Sequence, residues 1–180
     1  MPIQTTYELT PPVGVAAGSY VHEHNYSAES FYAQEDMRCV GQPVVVVDVD
    51  GEPKGINIMK TGDTFWNGLS INPRCHHKGC DGKYIEALDS VATADTGEFW
   101  VQLDAAATPE FGKAALFALP VDPVTDDVLF HSAGDTVPAT HGQATACGTF
   151  IGIAQDGENG KVAKLRLAVT DAESIASDAS

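Results

Sequence analysis

Positive charge is scarce in this chain. Only 10 of its 180 residues are Lys or Arg, against 25 Asp and Glu, so the formal net charge is -15. A polymer of that sign repels phosphate backbones and acidic lipid headgroups, which argues against non-specific nucleic-acid binding and against attachment to a membrane surface. Long apolar runs are missing as well. The longest, residues 114–119, falls far short of the roughly 20 residues that cross a bilayer as a helix. Met1-Pro2-Ile3-Gln4 has neither a basic region nor an apolar one behind it, so no secretory signal is read there. The expected setting is the cytoplasm, with export only as part of something larger. Cysteines number four, and without a secretory signal they read as mostly reduced thiols. There is no Gly-x-Ser-x-Gly elbow, no phosphate-cradling Gly-x-x-x-x-Gly-Lys and no His-Glu-x-x-His, so the chain is not expected to be an enzyme.

What the chain does have is turn chemistry and short β-rich segments. Its 17 Gly and 10 Pro are spread along the whole length, and between them lie runs of β-branched and aromatic residues. Strands are predicted at residues 42–49, 53–59, 83–91, 98–103, 113–119, 127–132, 149–154 and 162–169. Val49-Asp50-Gly51-Glu52 places Asp-Gly between two apolar runs, the signature of a primed hairpin turn. Asp156-Gly157-Glu158-Asn159-Gly160 marks a second hairpin with a longer loop. Alternation supports strands over helices: Ala163, Leu165, Leu167 and Val169 share one face, with Lys164 and Arg166 on the other. Phe99, Val101 and Leu103 likewise oppose Trp100. The one helical candidate is residues 27–35, with Ser27 as its cap. The expected fold is therefore all-β, a small β-barrel or β-sandwich body over residues 19–169. An extended N-terminal arm, residues 1–18 with Pro11-Pro12, precedes it, and a small polar tail, residues 170–180, follows.

Chemistry concentrates at Cys75-His76-His77-Lys78-Gly79-Cys80. Cys75, His77 and Cys80 can supply three ligands to a tetrahedral zinc ion, with Cys39, Cys147 or His22 as a fourth. The plainer reading is a loop with a polar tip, and a Cys75–Cys80 disulfide is also geometrically possible. His22 and His24 would share a face of a strand and offer two ligands, or simply lie exposed. Cys39 and Cys147 are more often buried apolar residues than nucleophiles, and His131 and His141 read as surface or packing residues. Asp48 and Asp50 form a carboxylate pair that hairpin chemistry explains. Trp66, Trp100 and Tyr84 can build a stacking platform for a sugar, or can be core and interface aromatics.

A resemblance runs over most of the chain. Met1-Pro2-Ile3-Gln4-Thr5-Thr6, Pro11-Pro12 and Val15-Ala16-Ala17-Gly18-Ser19-Tyr20 resemble the N-terminal arm of the capsid decoration, or structural cement, proteins of tailed phages. The strand ending at Asp50-Gly51, then Gly97-Glu98-Phe99-Trp100-Val101 and Gly112-Lys113-Ala114-Ala115-Leu116-Phe117-Ala118, resemble the segments that follow. Phe150-Ile151-Gly152-Ile153-Ala154 with residues 162–169 is similar to the terminal hairpin. Residues 61–83, which hold the Cys75–Cys80 cluster, depart from the family pattern and read as an inserted loop. The resemblance implies a virion structural protein on the outer capsid surface, often a homotrimer, that bridges neighbouring copies of the major capsid protein. It is then made in the host cytoplasm, without catalytic residues or a required cofactor. Arm residues such as Ile3, Tyr7 and Leu9 are favoured for the interface. The competing expectation is a β-sandwich module that binds carbohydrate or another ligand.

Overall fold

The Asp-Gly hairpin forms as its residues dictate. Asp50 and Gly51 both take positive φ, 56° and 84°, the conformation of a primed turn whose twist suits two antiparallel strands. The Gly51 N–H donates to Asp48 Oδ1 at 2.6 Å, which fixes the turn from one side. This computed structural model describes Val21, residues 27–37, 41–63 and 66–71, Ile85, and residues 87–122, 128–157 and 160–168. Among them there is no helix. Ten strands follow in order: β1 (Ser27–Ala33), β2 (Pro43–Val49), β3 (Glu52–Ile58), β4 (Gly68–Ile71), β5 (Ser90–Gln102), β6 (Ala114–Pro120), β7 (Leu129–Ser132), β8 (His141–Phe150), β9 (Gln155–Gly157) and β10 (Gly160–Ala168).

The first half closes into a five-stranded barrel. Hydrogen-bonded neighbours run β1–β3–β2–β4–β5, and β5 returns to β1. Ala33, Met37, Val44, Ile56 and Val91 fill its interior, with Phe31, Val46 and Ile58 packed beside them. Val45 points the other way, into the second and larger core. Burial on both faces is why Pro43-Val44-Val45-Val46-Val47 is continuously apolar instead of alternating.

The second half extends the same sheet from β5 through β10, β8 and β6 to β7. The far strand comes back to the end of β5: Leu103 bridges Phe130, and the Asp104 N–H donates to the Phe130 carbonyl at 3.1 Å. Phe99, Val101, Leu103, Phe117, Phe130, Phe150, Ala163, Leu165 and Leu167 belong to the core that this half encloses. The alternation expected of residues 98–103 and 163–167 is thus present. On the outer face Trp100 packs with Val162 and Val21, and Lys164 lies over its ring at 5.1 Å. Arg166 and Glu98 pair across the strands at 2.9 Å.

Four readings of the sequence need correction. Residues 27–35 are not helical: Ser27 opens β1, and Phe31 and Ala33 turn inward at two-residue spacing. The strand expected at 98–103 is the second half of β5, which begins at Ser90, and the one expected at 83–91 shares only Ser90 and Val91 with it. Gly97, which precedes the strand expected at 98–103, sits inside β5 with φ 138°. Residues 90–96 of β5 pair with β1 and β4, while residues 96–102 pair with β10. Glycine at the change of partners lets one strand serve both halves. The strand expected at 149–154 ends at Phe150, and β9 forms the hairpin with β10. That expected strand covers only the last two residues of β8, and β4 has no counterpart among the expected strands. Residues 1–18 and 170–180 lie outside the described residues. Within 61–83, residues 68–71 form β4, and 72–83 lie outside.

Candidate functional site

Cys75, His77, Cys80, Cys39, His22, His24 and Tyr84, and the arm residues Ile3, Tyr7 and Leu9, all fall outside the described residues. Among those described, no group of three or more His, Cys, Asp or Glu is placed to hold a metal ion. Cys147 is fully buried on β8. Its thiol donates to the Ala115 carbonyl at 3.4 Å, and burial pushes its pKa far up. That is the packing role expected of it, and a neutral, enclosed thiol is a poor fourth ligand. Trp66 is 2% exposed and meets Phe117 edge-on, centroids 5.1 Å apart. Trp100 is 5% exposed beneath Lys164. Neither indole offers a sugar an open face.

His131 is more deeply placed than its lone position in the sequence suggests. It is fully buried on β7, and neither ring nitrogen has a hydrogen-bond partner. Desolvation lowers its pKa, and His141 lowers it further, outweighing the opposite pull of Asp104 and Asp135. At Asp135 partial burial would raise the pKa. The N–H and hydroxyl of Thr108, the Ser132 N–H and the charge of Lys113 hold it below the usual carboxylate range instead. For His131 the sign is fixed: neutral in the fold, it takes up a proton near pH 6.5 once unfolded. Its share of stability is complete above about pH 6.5 and is lost as pH falls toward the lowered folded value, at up to about 1.4 kcal/mol per pH unit. Urea unfolding at pH 7.5 and 5.5 is expected to show this acid loss, and His131→Phe to flatten it. An unchanged slope in the variant would count against His131 as the source.

A recess lies at an open end of the first barrel. Past the last β2–β4 pair, Val44 with Gly68, the backbones part. The Asn67 side chain continues the ladder, accepting from the Val46 N–H at 2.7 Å. β1 meets β3 only at Tyr32 and Ala33, so residues 27–31 stand apart from β3. On β5, Asp95 is the extra residue of a bulge between the pairs Ser27–Thr96 and Ala28–Ala94, a device that re-aims a side chain. The result is a cavity of about 180 Å³ lined by Glu29, Phe31, Val46, Asn67, Thr93 and Asp95, among others. Thr93 is only 4% exposed, and its Oγ1 has no hydrogen-bond partner. Sequence reasoning misses this recess, because its residues come from four segments and no local motif announces them.

Exposed apolar side chains stand elsewhere. Tyr32 and Leu88 are 55% and 72% exposed and close together, since the Leu88 N–H donates to the Ala33 carbonyl at 2.6 Å. Leu88 has φ 75°, a strained conformation for a branched residue. Phe111 and Ile153 are exposed on loops joined by the Gly112 N–H and Phe150 carbonyl, 2.8 Å apart. These four exposed large apolar side chains thus stand in two places, while Trp66, Trp100 and Cys147 are buried.

No curated protein matches the chain. A family model described as structural cement protein (E217 gp24/Pam3 gp6) matches residues 3–168 of the 180. With nearly the whole chain covered, the protein belongs to the family of phage structural cement proteins.

Proposed function

We propose that this virion protein sits on the outer surface of the capsid, binds the major capsid protein and stabilises the contacts between neighbouring capsid subunits. The observation that carries the reading is the family match over residues 3–168. The fold suits such a role, because a closed barrel that shares β5 with the rest of the sheet makes a stiff body. The proposal includes assembly as a homotrimer and contact through arm residues Ile3, Tyr7 and Leu9. Zinc at Cys75, His77 and Cys80 would be structural. The ligand-binding alternative loses its main support, because Trp66 and Trp100 are covered.

The test uses capsids stripped of accessory proteins. The full chain is expected to be a compact oligomer by light scattering, to cosediment with these shells and to raise the temperature at which they break. A monomer that leaves the shells unbound and no more heat-resistant would refute the proposal.

A further inference from the structure

We infer that the recess of the first barrel receives an extended basic segment of the partner protein, adding as a strand beside β1 and placing a Lys or Arg side chain between Glu29 and Asp95. The inference rests on the cement reading and names the chemistry of one contact within it.

Three observations converge on this recess. The first is a bare strand side. β1 is hydrogen-bonded to β5 from Ser27 to Tyr32, but β3 joins it only at Tyr32 and Ala33. Residues 27–31 therefore keep one side without a strand among the described residues. An added strand gains main-chain hydrogen bonds there, and pockets beside it select its alternate side chains.

The second is the cavity itself. Its floor includes Phe31 and Val46, suited to the aliphatic stem of a Lys or Arg whose head stays near polar groups. Thr93 Oγ1, buried and without a partner, lines the same space, where an ammonium or guanidinium can donate to it.

The third is charge. Glu29 and Asp95 line the recess, and among the described residues no Lys or Arg lines it and neither carboxylate forms an ion pair. A divalent cation fits poorly. Calcium takes six to eight oxygen ligands, often several of them carboxylates, and no group of three acidic or metal-binding residues is present among the described residues. A cationic side chain is satisfied by two carboxylates and a hydroxyl through charge-assisted bonds.

The experiment adds the full-length protein to stripped capsids and measures affinity by cosedimentation. Glu29→Gln with Asp95→Asn is expected to weaken binding at least tenfold while leaving the thermal midpoint of the free protein unchanged, since both residues are exposed. A capped peptide Thr-Val-Lys-Val-Thr is expected to compete at millimolar concentration, and its norleucine analogue is not. If the wild type binds and the double variant binds equally well, the inference is wrong and the cement reading stands. If the norleucine peptide competes equally, the cationic contact is wrong. If the wild type itself ignores the shell, both readings fall together.

Discussion

Gly148→Ala is expected to destabilise the body by about 2–6 kcal/mol, combining roughly 1–3 for a disfavoured backbone conformation with roughly 1–3 or more for a forced clash. Gly148 has φ 141°, and a Cβ built there would lie 2.1 Å from the Arg166 carbonyl oxygen and 3.1 Å from the Ala168 nitrogen. Both atoms are backbone, so no rotamer change relieves the contact. Gly148 is also paired on both sides, with Leu167 of β10 and Ala115 of β6. Moving β8 away therefore disturbs two ladders at once. Gly142 on the same strand is the control: a Cβ there meets nothing within 4 Å, and Gly142→Ala should change stability by less than about 0.5 kcal/mol. Urea unfolding midpoints measure both. A loss below about 1 kcal/mol at Gly148 would mean that the strands separate there at little cost.

Phe117→Ala should cost about 3–5 kcal/mol, the range for deleting a buried aromatic whose site cannot collapse. Phe117 is fully buried and stands edge-on to two neighbours, Trp66 at 5.1 Å and Phe130 at 6.2 Å. Trp66 lies just before β4 of the first barrel, and Phe130 lies on β7 at the far side of the second half. The three rings join the two halves, so their closed geometry limits how far the walls can fall inward. Phe117→Leu keeps much of the volume and should lose less. Equilibrium denaturation gives the sizes, and the near-ultraviolet dichroism of Trp66 should change in both variants. A loss under about 1.5 kcal/mol for alanine would show that this core repacks freely.

Much of the sheet is legible in the sequence because its residues alternate without help from distant partners. Asp50-Gly51 has no better use than a primed turn, and Lys164 and Arg166 interrupt an apolar series at two-residue spacing. β8 is obscure for the opposite reason. Gly142, Ala144, Ala146, Cys147 and Gly148 are small and look like loop, yet smallness is what lets β6 and β10 approach from both sides. β1 contains Ala28, Glu29 and Ala33, good helix formers, and pairing with β5 overrides that weak preference. The length of β5 is obscure because its residues 90–96 and 96–102 take different partners, which no local pattern shows. The recess is invisible in the sequence, since Glu29, Asn67, Thr93 and Asp95 become neighbours only when the barrel closes.

The sharing of β5 also sets an order of events during synthesis. The first barrel has all its strands once Gln102 has left the ribosome, but the partner of residues 96–102 begins only at Gly160. The interval is 160 - 102 = 58 residues, or roughly 3–12 s at about 5–20 residues per second. For those seconds the nascent chain carries a half-finished sheet whose outer margin is Gly97-Glu98-Phe99-Trp100-Val101-Gln102, an aromatic strand open to any neighbouring chain. Glu98, and the acidic excess of the chain as a whole, keep such neighbours apart by repulsion until β10 arrives. The charge imbalance that first marks the sequence thus guards the molecule before it is complete.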